Sequence, residues 1–157
     1  MTIGWQQGES VHHIHGFCIR LNETISHLPC QNYNPMNVKI DTKEKFHVIR
    51  LPEGPLTANM AVDLSKIITN CRIPQNGNVI IDMSSVSSLD PEVTSALLEE
   101  QVKAYNMQHS FVVCCLAKDI EKQLNDLDIL DQMNHTRTES EAWDIVQMEE
   151  IERELLD

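Results

Sequence analysis

The chain has 157 residues, with 24 acidic against 12 basic side chains for a formal net charge of −12, and 41% of its residues are hydrophobic. That length suits one domain with a real core. The acidic balance speaks against a nucleic-acid backbone or an anionic membrane surface as partner, because both need clustered Lys and Arg.

No apolar run approaches the roughly 20 residues that cross a bilayer, and no basic-then-apolar start resembles a secretory signal. Five cysteines, Cys18, Cys30, Cys71, Cys114 and Cys115, form no C-x-x-C pair. They read as reduced, buried thiols of a cytoplasmic protein. Cys114 and Cys115 are neighbours in an apolar run, where a strand would point them to opposite faces. That is poor geometry for a shared metal, and no metal or cofactor is expected.

Residues 1–35 have no sustained period and hold four of the seven histidines. His12, His13, His15 and Cys18 match no standard zinc spacing and lack a second ligand pair. Two expectations stay open for this segment: an unstructured extension, or a mis-assigned leader ahead of a true start at Met36.

From Met36 strands and helices alternate. Val38 to Ile40 and Phe46 to Leu51 read as two strands of a hairpin, and Pro52, Gly54 and Pro55 end the second. Met60, Leu64, Ile67, Ile68 and Cys71 recur at helical spacing, with Thr57 or Asn59 as cap. Residues 73–77 turn the chain back into a third strand, so that strand, helix and strand form a crossover. Further on, Ser110 to Leu116 is another buried strand. Ala117 to Leu127 is a short helix with Ile120, Leu124 and Leu127 inward, and Thr136 marks an edge strand. The last helix opens at Thr138, with Glu141 three residues on completing a capping box. Ala142, Ile145, Met148, Ile151 and Leu155 should line its inner side, and its charged end reads as a solvated face.

Between these lies the central stretch, 78–107. Val79, Ile80 and Ile81 are a β-branched run ending at Asp82, as in a fully buried strand. Met83 to Leu89 is a serine-rich turn without period. Asp90, Pro91 and Glu92 then open a helix: Asp90 suits the N-cap, proline suits the first helical position, and Glu92 sets negative charge beside the positive end of the dipole. Val93, Leu97, Leu98, Val102 and Tyr105 should face the core, and Glu99, Glu100, Gln101 and Lys103 the solvent.

The strand Val79 to Ser84, then Val86, Leu89 and Asp90, Leu97 and Leu98, Phe111 to Val113 and the turn Asp128 to Leu130 together resemble the STAS domain. This is the domain of anti-sigma factor antagonists and of sulfate-transporter cytoplasmic regions. Met36 to Ile40 looks like the opening of such a protein. The resemblance implies an α/β fold over 36–157, a mixed sheet of four to five strands with helices packed on it. It also implies a bacterial protein whose work is binding, not catalysis. In the antagonists the unphosphorylated domain binds an anti-sigma factor that is also a serine kinase, and phosphorylation at a helix N-terminus breaks the complex.

The family usually has Asp-Ser-Ser-Gly or Asp-Ser-Thr-Gly where this chain has Asp90-Pro91-Glu92-Val93. The phosphorylated hydroxyl is the second of the two, and Glu92 stands in that place. The expected partner surface is the loop and helix start over 84–94: Ser84, Ser85, Ser87, Ser88, Asp90, Pro91, Glu92 and Thr94, with Asn59 beside them. Thr94 is a candidate substitute phosphoacceptor. The expected partner is an anti-sigma factor serine kinase or a related regulator. A second reading is a STAS subunit docking on the ATPase of an ABC-type membrane transport complex. A small thiol- or nucleotide-dependent enzyme is a third, but no histidine sits in a recognisable motif and no phosphate-binding glycine loop is present.

Overall fold

The computed structural model describes residues 36–72 and 77–156, together with the strand residues 13–14 and 17–18. Those last four make a small hairpin, β1 (His13–Ile14) pairing antiparallel with β2 (Phe17–Cys18), in a unit of its own that covers Met1–Asn34. The two expectations for residues 1–35 otherwise lie outside the described residues, as do the His12, His15 and Cys30 side chains and the turn at 73–76.

The second unit, Pro35–Asp157, is built on a five-stranded sheet. Strand β3 (Lys39–Thr42) pairs antiparallel with β4 (His47–Arg50), the expected hairpin. Beyond them come β6 (Val79–Asp82), β8 (Phe111–Cys114) and β9 (His135–Thr136), each parallel to its neighbour in the order β3-β4-β6-β8-β9. Parallel neighbours need crossover connections. These are α1 (Ala58–Arg72), α2 (Pro91–Asn106) and α3 (Lys118–Asp126), and α4 (Glu139–Leu156) closes the chain. Among the described residues no helix is long and apolar enough to cross a membrane.

Both faces of the central strands are covered, which is why Val79-Ile80-Ile81 and Phe111-Val112-Val113 read as unbroken apolar runs. Ile81 and Val113 pack with Leu64, Ile68, Val93, Leu97 and Leu124 of α1, α2 and α3. Ile80, Val112 and Cys114 face the other way, onto Ala142 and Val146 of α4. The first core is much the larger.

A second, two-stranded sheet went unseen in the sequence. Gly54–Leu56 is strand β5 and Val86–Leu89 is strand β7, paired in parallel with a register shift after Gly54. The stretches read as a strand end and as an aperiodic turn are therefore partly sheet. Gly54 has φ +110, a conformation open to glycine and costly to other residues.

Helix faces also differ from expectation. In α2 the buried residues are Val93, Thr94, Leu97, Glu100 and Ala104, while Val102 and Tyr105 are exposed. The stripe is rotated because Glu100 turns inward to a buried cation. Arg72 gives it one hydrogen bond at 2.7 Å to Oε2 and another at 2.6 Å to its backbone oxygen, and Lys103 reaches Oε1 at 2.7 Å. Burial pulls the Arg72 guanidinium below its usual range, with Glu100 opposing that shift. In α4 only Ala142 and Val146 are buried; Met148, Ile151 and Leu155 are exposed, as is Leu127 after α3.

Candidate functional site

The sheet's partner, the β5/β7 ribbon, fixes the corner. Each of its strands runs through a single residue into a helix, β5 through Thr57 into α1 and β7 through Asp90 into α2. Two helix N-termini thus stand side by side, each with free backbone N–H groups and a positive dipole end.

Asp90 joins them. Its backbone N–H donates to the Leu56 carbonyl (3.0 Å), and its Oδ2 accepts the Ala58 N–H (2.9 Å). Asp90 sits at the N-cap position of α2, yet its side chain makes no capping bond there. The carboxylate caps α1 instead. Neither Thr57 nor Asn59 is needed for that task; Thr57 accepts the Met60 N–H at 2.9 Å through its carbonyl, and Asn59 is exposed within the first turn of α1. Pro91 then occupies the first helical position of α2, as expected.

Glu92 is exposed in that first turn. Ser84, Ser85, Ser87, Ser88 and Pro91 are exposed beside it, so the corner brings together most of the residues singled out from the sequence. Beneath them Met83, Val86, Leu89 and Val93 anchor the loop in the core. Gln123 of α3 donates to the Leu89 carbonyl at 3.1 Å, and Asp82 Oδ1 accepts the Ser84 N–H at 2.9 Å.

Thr94 is the exception. It is 2% exposed, and its hydroxyl donates back to the Asp90 carbonyl at 3.4 Å. A kinase cannot reach it in this fold, so Thr94 is a packing residue and not a surface hydroxyl. The hydroxyl that α2 does offer near its start is the exposed Ser95.

From Leu51 to Ser65 and from Asp82 to Glu99, the segments that build the corner, there is no Lys or Arg. The corner is acidic through Glu53, Asp90 and Glu92. Two hollows elsewhere among the described residues, of about 640 and 490 Å³, run along β9 between Glu121, His135 and Arg137 and share no residue with the corner.

The expected placing of Cys114 and Cys115 on opposite faces is overturned. Strand β8 ends at Cys114, and Cys115 has φ 62, in the left-handed region. That turn brings the second thiol back beside the first, so both sulfurs and an Asp82 oxygen lie within 4.8 Å of one another.

The order and topology of the elements match a known family. The STAS domain profile fits residues 37–142, and the chain belongs to that family. Solved structures of the same fold include an anti-sigma factor antagonist from Mycobacterium paratuberculosis, with 15% identity and a TM-score of 0.61, covering 71% of this chain and 94% of that one. Another is RsbS of Moorella thermoacetica, solved as a serine-to-glutamate variant, with 18% identity, a TM-score of 0.58 and coverage of 70% and 94%. A sulfate transporter family protein from Wolinella succinogenes has 14% identity, a TM-score of 0.58 and coverage of 69% and 90%. No curated protein sequence matches the chain significantly. At such identities the likeness is one of fold.

Proposed function

We propose that this chain is a non-catalytic, cytoplasmic interaction module of the anti-sigma factor antagonist type, docking a protein partner on the α1/α2 corner with Glu92 in the place of the phosphorylatable residue. The observation that carries this reading is the exposed Glu92 carboxylate in the first turn of α2, in a corner whose own segments carry no Lys or Arg. Asn59, Ser84, Ser85, Ser87, Ser88 and Pro91 form the contact surface around it. Asp90 positions the two helix starts.

In a switched relative, phosphorylation would add about −1.5 to −2 charge at this helix end, and removal would take it away. Glu92 supplies a single negative charge that no phosphatase can remove and no kinase can add to. The partner therefore meets one constant surface, and a neutral or basic face suits it better than an acidic one. An anti-sigma serine kinase or a related regulator is the partner class the family suggests. The second reading, a STAS subunit docking on the ATPase of a transport complex, has weaker support, since the sulfate transporter family structure shares the fold alone.

Affinity capture with the full chain from its source cell tests this, with Glu92→Ser run beside it. The expected result is a regulator of the kinase class, held about two- to fivefold more weakly by Glu92→Ser, the scale of a surface ion pair. Capture of an ABC-type ATPase would move the assignment to the transport subunit. Stronger binding by Glu92→Ser would make Glu92 a permanent release signal instead of a docking group. Incubation with the captured kinase should leave no phosphate on residues 84–95 of the unaltered chain.

A further inference from the structure

On the other face of the sheet, under α4, three metal-ligating side chains converge, of which the partner corner uses only Asp82, through its bond to Ser84. Asp82 ends β6 and Cys114 ends β8, and the two are register partners across the sheet. Their strand ends are tied by the Met83 N–H donating to the Cys114 carbonyl at 3.0 Å. Cys115 would ordinarily point away, but its left-handed backbone swings its thiol to the same side. Such a conformation is unfavourable for a residue with a Cβ. It persists here with the Cys115 N–H bonded to the Thr136 carbonyl at 3.2 Å and the Glu139 backbone N–H bonded to the thiol. Glu139 is the first residue of α4, so this sulfur sits beside a helix N-terminus.

We propose that Asp82, Cys114 and Cys115 form a binding site for a divalent, thiophilic metal ion of the zinc class. Two thiolates and a carboxylate are a ligand set that zinc accepts, with the fourth tetrahedral position open to solvent. Three negative ligands and a divalent ion leave one negative charge, and the Arg50 guanidinium stands beside it, 3.4 Å from Asp82 Oδ2. Arg50 is held in turn by Glu139 at 2.9 Å and by Asp41 at 3.7 Å. It therefore acts as a neighbour to the carboxylate and not as its only partner. The remaining Asp82 oxygen takes the Ser84 N–H, an outer bond of the kind that orients a metal-bound carboxylate.

Entry is from the side of Cys115, which is only partly buried, whereas Cys114 and Asp82 are buried. Burial holds both thiols above their ordinary range in the metal-free chain. Binding then breaks two S–H bonds and forms two metal–sulfur bonds, with both protons released to solvent and no change in oxidation state.

The test is titration of the reduced full chain with zinc ion alone, and with cobalt(II) as its spectroscopic stand-in. One ion per chain and a near-ultraviolet band with the intensity of two thiolate–cobalt bonds are expected. Cys115→Ser should halve that band and weaken affinity beyond the roughly 10- to 100-fold that losing an outer-shell partner costs. Asp82→Asn should keep the band and weaken affinity, and Cys71→Ser and the Cys18→Ser, Cys30→Ser pair should change neither. In the unaltered chain zinc should protect Cys115 from alkylation, a readout that needs no variant to fold. Absence of stoichiometric binding, a titration indifferent to Cys115→Ser, no protection of Cys115, or binding lost with Cys18 and Cys30 would each overturn the proposal.

Discussion

The two ends of this fold that begin helices do so by opposite means. Helix α4 starts itself: Thr138 Oγ1 accepts the Glu141 N–H at 3.2 Å, and Glu141 Oε2 accepts the Thr138 N–H at 3.2 Å and the Arg137 N–H at 3.0 Å. Everything needed lies within five residues. Helix α1 is started by its neighbour, through one Asp90 carboxylate that stands at the head of α2 and reaches 32 residues back to Ala58. The same pair is joined again where Arg72, at the end of α1, meets Glu100 within α2. A self-started helix can loosen alone, whereas a helix capped from the head of its neighbour ties the two N-termini together. The corner offered to a partner is of the second kind.

Breaking the far clamp should have the largest effect. Glu100→Ala leaves the Arg72 guanidinium buried without its counter-charge, and unfolding in urea should show a loss of about 3–5 kcal/mol. Next comes the near clamp. Asp90→Ala should cost about 1–2 kcal/mol, the scale of a lost cap, and hydrogen exchange should quicken at Ala58 and through the first turn of α1. Exchange confined to α2 would mean that Asp90 caps its own helix after all. Thr138→Ala should cost about 1 kcal/mol, with faster exchange only at the start of α4 and capture by the corner unchanged. The smallest effect belongs to the outer stripe of α4. Leu155→Ser should shift stability by no more than about 0.5 kcal/mol, since Leu155 is 80% exposed.

The same contrast explains what could be read from the residues alone. The capping box at Thr138, the apolar runs of β6 and β8 and the Asp90-Pro91-Glu92 opening are local patterns, and all are present. The β5/β7 ribbon is not local. Gly54-Pro55-Leu56 and Val86-Ser87-Ser88-Leu89 have little strand character each, and they are strands only because they pair. The inward turn of Glu100 was illegible because its partner, Arg72, is 28 residues upstream on another helix. Likewise the rule that adjacent strand residues face opposite ways fails at Cys115, where the strand has already ended. In the candidate site, the exposed serines and Glu92 were legible from the turn and helix signals. The burial of Thr94 was not, since Val102 and Tyr105, which extend the apolar stripe of α2 in the sequence, are exposed in the fold.

Photo-crosslinking places the central claim under the most direct strain. A crosslinking amino acid replaces Ser88 at the corner in one full-length chain and the exposed Gln147 of α4 in another, and both are illuminated in the source cell. The account predicts one discrete protein adduct from position 88 that is absent from position 147. An adduct from position 147 with none from position 88 would contradict it, and would place the partner on the self-started helix instead.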